Sequence, residues 1–277
     1  MAIASINEFV IKFANVNGSG SASANELFAK AILRMGVPVS PRNIFPSNIQ
    51  GLPTWYEVRV SEQGWLGRRG GIDMMVAMNP QTWDKDIKEI EAGGYLFYDS
   101  SKPMPKSKFR DDINIIGMPL TEICNKTYSD PRQRQLFKNI IYVGALSALL
   151  QIDPAVIEKL FAEQYKGKEA LLQSNIKALH LGRDYALKNL QCPSGLTVKA
   201  ANNVGDKIFI DGNSAAALGA ALLLLIAILW IALEYLRPGK STGMSKRATL
   251  FVVAVYGQML LGAAYWLRDL MLSVVST

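Results

Sequence analysis

Five consecutive small residues, Asn17, Gly18, Ser19, Gly20 and Ser21, follow an apolar run and precede a helical pattern. Glycines let a backbone approach an anion closely, and the first turn of a helix offers unpaired N–H groups at the positive end of its dipole. The chemistry this supports is phosphate capture. The spacing Gly18-x-Gly20-x-x-Ser23 departs at its third position from the G-x-G-x-x-G fingerprint. Two readings therefore stand: a phosphate cradle, or a tight turn between strand and helix.

Other chemistries have little to work with. Cys124 and Cys192 are the two cysteines, far apart and without a C-x-x-C pair, so neither a zinc site nor an iron–sulfur cluster can be built from them alone. They read as reduced cytoplasmic thiols. His180 is the single histidine and lies in an apolar helical pattern, which makes it a packing or surface residue and leaves no Ser-His-Asp or His-metal set. No catalytic residue and no metal ligand is assigned. The net charge of +7 is modest, and its basic excess is not interleaved with aromatics along one face, so nucleic acid is not an expected partner.

The elements that must position the loop are readable from periodicity. Residues 9–16 form a strand, and residues 21–35 place Leu27, Ala31, Ile32 and Leu33 at helical spacing, with Gly36 as the stop. Residues 40–53 contain three prolines and a glycine; they are expected to be a long ordered loop rather than a regular element, with Ser47, Asn48 and Gln50 as rim groups of the candidate site. Residues 55–60 alternate as a strand, Trp55, Glu57 and Arg59 facing one way and Tyr56, Val58 and Val60 the other. The basic, glycine-rich residues 64–71 form either a solvated tip or a contact surface, with Arg68 and Arg69 as the contact groups.

A buried strand at 72–78 follows, then a helix from Asn79-Pro80 to about Ile90, closed by Gly93-Gly94, and strands at 95–98 and 113–117. Asp130-Pro131 and Asp153-Pro154 each start a helix with an N-cap and a first-turn proline, and residues 168–190 make a long final helix. Residues 196–198 and 207–210 suggest a terminal hairpin. The alternation implies an α/β fold: a Rossmann-like, open, mostly parallel sheet with helices on both faces, its ligands collecting beyond the carboxyl ends of the strands.

Several long words closely resemble one family: residues 9–25 (FVIKFANVNGSGSASAN), 44–62 (IFPSNIQGLPTWYEVRVSE), 75–83 (MVAMNPQTW), 95–102 (YLFYDSSK) and 129–144 (SDPRQRQLFKNIIYVG). They look like the gamma-type domain of 2-oxoacid:ferredoxin oxidoreductases, especially the 2-oxoglutarate branch, where it is fused to the front of the alpha subunit. The resemblance covers about residues 5–219, including His180-Leu181-Gly182-Arg183-Asp184.

It implies a domain that packs on thiamine-binding alpha/beta-type subunits, in a complex that passes electrons to ferredoxin, and that uses its glycine-rich loop to hold the nucleotide end of coenzyme A, a substrate. Arg68 and Arg69 then become candidates for a partner subunit or for the 3′-phosphate. The family's Tyr-Pro-Ile-Thr-Pro word, its magnesium–diphosphate signature and its cluster cysteines do not occur in this sequence. Thiamine diphosphate, magnesium and 4Fe-4S clusters are accordingly expected only in partner chains. The chain is expected to be a truncated family member, a subunit not catalytic alone. The alternative is a non-catalytic membrane adaptor using an inherited domain to dock partners.

Composition changes near residue 214, dividing a domain at 1–213 from a tail at 214–277. Residues 215–233 and 249–267 are each free of charge and, at about 1.5 Å per residue, each just crosses a hydrocarbon core about 30 Å thick. They predict a transmembrane helical hairpin in the lipid bilayer, against a pair of buried helices in a soluble core. Arg237, Lys240, Lys246 and Arg247 between them favour a cytoplasmic loop, which would put the domain outside. The first residues, broken by Ser5, Asn7, Glu8 and Lys12, lack the order of a secretory signal, and the domain is expected to be cytoplasmic and membrane-anchored. A re-entrant hairpin, or a tail of unrelated origin, fits the same pattern.

Overall fold

A computed structural model of the protein describes residues 2–47, 49–210 and 212–236. The chain divides into two compact units, Met1–Phe209 and Ile210–Thr277.

The first unit opens with β1 (Ser5–Ile6) and β2 (Glu8–Val16), turns into α1 (Ser21–Arg34), and returns through β3 (Val39–Ile44) and β4 (Pro53–Ser61). Then come β5 (Ile72–Ala77), the one-turn α2 (Trp83–Asp86), β6 (Ile90–Asp99), β7 (Asn114–Met118), α3 (Leu120–Thr127), α4 (Pro131–Leu149), α5 (Pro154–Gln164), α6 (Glu169–Asn189) and β8 (Leu196–Thr197). The main sheet runs β3-β4-β2-β5-β6-β7. β2, β5, β6 and β7 are parallel neighbours, while β3 and β4 add an antiparallel edge. The fold is thus α/β with a mostly parallel sheet.

The two faces of the sheet carry unequal cover. On one, Phe9, Ile11, Phe13, Val58, Met74, Val76 and Phe97 pack under α1, α4, α5 and α6 in the main core. Phe13 meets Phe28 of α1 edge-on at 5.3 Å, an arrangement that aromatic quadrupoles favour. On the other, Val10, Trp55, Met75 and Leu96 lie under Trp83 and Ile87, in short helical turns. The alternation expected for residues 55–60 holds: Tyr56, Val58 and Val60 enter the main core and Trp55 the second.

Helices α4 and α6 touch backbone to backbone. A Cβ on Gly144 would lie 2.0 Å from the Leu179 carbonyl oxygen, and one on Gly182 would lie 1.9 Å from that of Ile141. Glycine is required at both positions because any side chain would drive the helices apart. The caps read from the sequence are in place: Asp130 accepts from the Arg132 amide, and Asp153 from the Ala155 amide.

Four expectations are corrected. Residues 40–53 are not all loop, because β3 takes residues through Ile44; Pro41 is tolerated since β3 is the sheet edge, where positions on the open side have no ladder hydrogen bond to lose. The helix expected from Asn79 to Ile90 breaks into three short turns, and β6 already begins at Ile90, so Gly93-Gly94 lies inside a strand. There a Cβ on Gly94 would meet the Asp73 carbonyl oxygen at 2.9 Å, so glycine permits a close strand approach rather than ending a helix. The terminal hairpin is absent among the described residues: Leu196–Thr197 pairs parallel with Ser5–Ile6.

The second unit contains α7 (Gly212–Leu236). Its stretch Gly212–Trp230 is long and apolar enough to cross a membrane, with none of it buried. A hairpin is not shown, since the expected second span at 249–267 and the basic groups Arg237, Lys240, Lys246 and Arg247 lie outside the described residues.

Candidate functional site

The loop between β2 and α1 sits at the carboxyl end of its strand. Gly18 and Gly20 both adopt left-handed backbone, φ +80 and +77, and Gly20 is the N-cap of α1. Both are exposed, Asn17 and Ser19 are half-buried and Ser21 is buried. The Asn17 amide donates to the Leu52 carbonyl at 2.8 Å and the Ser19 amide to that of Val16 at 3.2 Å. Among the described residues, the amides of Gly18 and Gly20 have no such partner, and no side chain caps the first turn of α1. Two unpartnered donors at a helix N-terminus are the elements of an anion site.

The loop is held from beneath. Asn25 donates to the Asn15 side-chain oxygen at 3.0 Å and accepts from the Tyr142 hydroxyl at 2.6 Å, all three groups being buried. Asn79 donates to the Asn15 carbonyl at 3.3 Å. A satisfied polar network of this kind costs little to bury and fixes the geometry above it.

Two cavities flank the loop. The larger, about 510 Å³, runs from Asn17, Gly18 and Ser19 across to Thr121 and Cys124 of α3 and to Arg134, Lys138 and Asn139 of α4. The smaller, about 240 Å³, lies on the other side, between Gly18, Gly20 and Ser21 and the aromatics Phe45, Trp55 and Tyr56.

The far wall of the larger cleft is basic. Lys138 is 3.1 Å from Asp99 and 3.2 Å from the Thr121 hydroxyl, which leaves its ammonium a further donor. Burial alone would raise the Asp99 carboxyl, but hydrogen bonds from Ser101 and Thr121 and the nearby Lys138 charge hold it below the usual carboxylate range. Burial pushes the Cys124 thiol up to about 11, so at neutral pH it is a protonated wall group and not a nucleophile.

The sequence-derived candidates separate into three groups. Asn17, Gly18, Ser19, Gly20 and Ser21 form the loop itself, and Gln50 reaches it: a Cβ on Gly18 would lie 2.7 Å from the Gln50 Cγ. Ser47 accepts from the Ile49 amide at 3.2 Å in its own turn and lines neither cavity, while Asn48 lies outside the described residues. Arg68 and Arg69 also line neither cavity; they pair with Glu57 and Asp73, the latter at the amino end of β5. Arg134, Lys138 and Asn139 were missed. Their signal was the polar opening of α4, where i, i+4 spacing puts Arg134 and Lys138 on one face before the apolar run begins. His180 makes a surface pair with Glu158 at 2.8 Å, away from the cleft.

Fold and site together define an α/β domain that presents an open glycine loop to a basic cleft. The family model described as pyruvate ferredoxin/flavodoxin oxidoreductase matches residues 10–185, and the chain belongs to that family, as a gamma-type domain of the 2-oxoacid:ferredoxin oxidoreductases.

The chain is 22% identical over 240 residues to the alpha subunit of 2-oxoacid:ferredoxin oxidoreductase 2 of Aeropyrum pernix, covering 73% of this chain and 37% of that one. It is 24% identical over 177 residues to 2-oxoglutarate synthase subunit KorC of Archaeoglobus fulgidus, covering 63% and 86%. Among solved structures, the fold matches 2-oxoglutarate:ferredoxin oxidoreductase from Magnetococcus marinus, solved with 2-oxoglutarate, coenzyme A and succinyl-CoA bound, at TM-score 0.69 and 24% identity over 78% of this chain and 37% of that one. A pyruvate oxidoreductase subunit from Thermotoga maritima matches at TM-score 0.54 and 20% identity, over 64% and 96%. This chain therefore spans little more than a third of the longer relatives and most of the shorter ones.

Proposed function

We propose that this chain supplies the coenzyme A-side domain of a thiamine-dependent 2-oxoacid:ferredoxin oxidoreductase, with 2-oxoglutarate as the 2-oxoacid. Thiamine diphosphate, magnesium and 4Fe-4S clusters reside in partner alpha/beta-type subunits, and ferredoxin takes the electrons through the complex. α7 anchors the domain to the membrane, on its cytoplasmic side.

The observation that carries the reading is the glycine loop itself: the Gly18 and Gly20 amides have no protein partner among the described residues, and Gly18 lines a cleft whose opposite wall is Arg134 and Lys138. A pyrophosphate accepts hydrogen bonds from the loop and the first turn of α1, while the two cations balance its charge. Asp99 and Thr121 hold the Lys138 ammonium at the wall, and Asn139 holds the loop through the Ser19 carbonyl. The coenzyme A and succinyl-CoA named for the Magnetococcus marinus enzyme belong to the same ligand class.

Coenzyme A titration by calorimetry on the full chain in mild detergent tests the site. Binding should be lost in the variant carrying both Gly18→Val and Gly20→Val, and unchanged affinity overturns the assignment. Purification of the tagged chain separates this function from that of a non-catalytic membrane adaptor: a thiamine-binding partner supports the oxidoreductase, and a membrane complex free of thiamine diphosphate supports the adaptor.

A further inference from the structure

We propose that the loop carrying Trp65 and Leu66 is a membrane-contact surface, seated among anionic lipid headgroups beside the point where the chain leaves its first unit. This rests on the reading of α7 as a membrane span.

Trp65 and Leu66 are 59% and 68% exposed, an adjacent aromatic and aliphatic pair with no apolar cover. Their backbone is nevertheless gripped. The Leu66 carbonyl accepts from the Ser40 hydroxyl at 2.8 Å, and the Gly67 carbonyl accepts from the Arg59 guanidinium. β3 and β4 thus fix the loop from below while its large side chains stand in solvent. Indole is the side chain most at home at a membrane interface, its ring apolar and its N–H wet. Arg68, 55% exposed although paired with Glu57, and Arg69 follow directly, and guanidinium groups complement phosphate headgroups.

Position selects a bilayer over a protein surface as the occupant. The Glu62 carbonyl accepts from the Asn203 side chain at 3.1 Å, and Lys207 Nζ lies 3.1 Å from where a Cβ on Gly64 would stand. The loop therefore borders residues 203–207, the segment that runs on to α7. From Lys207 to Gly212 the chain can extend about 17 Å at most. Ile208, 71% exposed, adds a third apolar group at the same end.

The test uses the full chain with Cys192→Ala; Cys124 is buried and does not label. An environment-sensitive fluorophore is attached at Trp65→Cys, or separately at Leu222→Cys in α7, and the protein is reconstituted in vesicles of phosphatidylcholine with or without phosphatidylglycerol. Lipids brominated on the acyl chain quench probes that enter the bilayer. We expect quenching at position 222 in both vesicles, and at position 65 a blue shift with quenching that is lost when phosphatidylglycerol is omitted. Quenching at 222 with none at 65 overturns the proposal and leaves the span standing. Equal quenching at 65 in both vesicles overturns the headgroup assignment. Silence at both positions removes the span and this proposal together.

Discussion

Asn139 donates its side-chain amide to the Ser19 carbonyl at 2.8 Å, joining α4 to the glycine loop across 120 positions of sequence. That bond turns the Gly20 N–H of the same peptide unit away from Asn139, because the two groups of a trans peptide point in opposite directions. Replacing Asn139 with Ala should cost about 1 kcal/mol of stability, the net worth of one hydrogen bond. Loop disorder should weaken coenzyme A by roughly fivefold, the same energy read as affinity. Calorimetry checks the second figure, and faster hydrogen exchange at residues 17–21 checks its cause.

Gly18 and Gly51 share left-handed backbone, φ +80 and +89, but differ in surroundings. A Cβ on Gly18 would meet Gln50, whereas one on Gly51 would meet nothing within 4 Å. Gly51→Ala should therefore cost only the conformational penalty, about 1–2 kcal/mol. Gly18→Ala should cost that plus displacement of Gln50, and it alone should weaken ligand. Equal effects on ligand would remove Gln50 from the rim.

Asp99 ties strand β6 to both helices that wall the cleft, through Thr121 and Lys138. Its carboxyl titrates below the usual range in the folded chain. The unfolded state then binds the proton first, so the stability Asp99 contributes is complete above the unfolded value, about 3.9, and drains away as pH falls through the lower folded value. Asp99→Asn should cost about 2 kcal/mol at neutral pH, as expected for hydrogen bonds to a charged group. The gap from the parent protein in urea melts should narrow below about pH 4.

The close approach of α4 and α6 at Gly144 and Gly182 permits a severe single-methyl perturbation. Gly182→Ala places carbon against the Ile141 carbonyl at 1.9 Å, which no rotamer relieves. The expected loss is about 3 kcal/mol, at the upper end for overpacking, with α4 and the cleft wall displaced. Thermal melts should show it, and coenzyme A affinity should fall in parallel.

What the sequence made legible follows the strength of its local signals. β2, the glycine loop and α1 were readable because apolar run, turn and helical stripe succeed one another, and Asp130-Pro131 and Asp153-Pro154 announced their helices through cap chemistry. β3 was hidden because Pro41 argues against a strand unless the strand is at an edge, a fact of tertiary order. α3 was hidden because it is eight residues long and buries just Leu120 and Cys124, too few for a period. Gly93-Gly94 looked like a helix stop because a close strand approach cannot be told from a terminator until its neighbour is known. The basic wall at Arg134 and Lys138 was visible as polarity on a helix, but facing the loop is a property of how α4 packs on α1 and β2.

Leu222 lies near the middle of the apolar stretch Gly212–Trp230 and is exposed, as are most of its neighbours. An exposed run of this length is unfavourable in water and favourable in hydrocarbon. Arginine at the centre of a membrane helix costs about 3 kcal/mol on insertion scales. Leu222→Arg should therefore lower the carbonate-resistant membrane fraction of the full chain. Leu187→Arg, at an exposed leucine of α6, should leave it unchanged. If both variants resist extraction like the parent, α7 does not anchor the chain. If both are lost, the globular surface holds it instead.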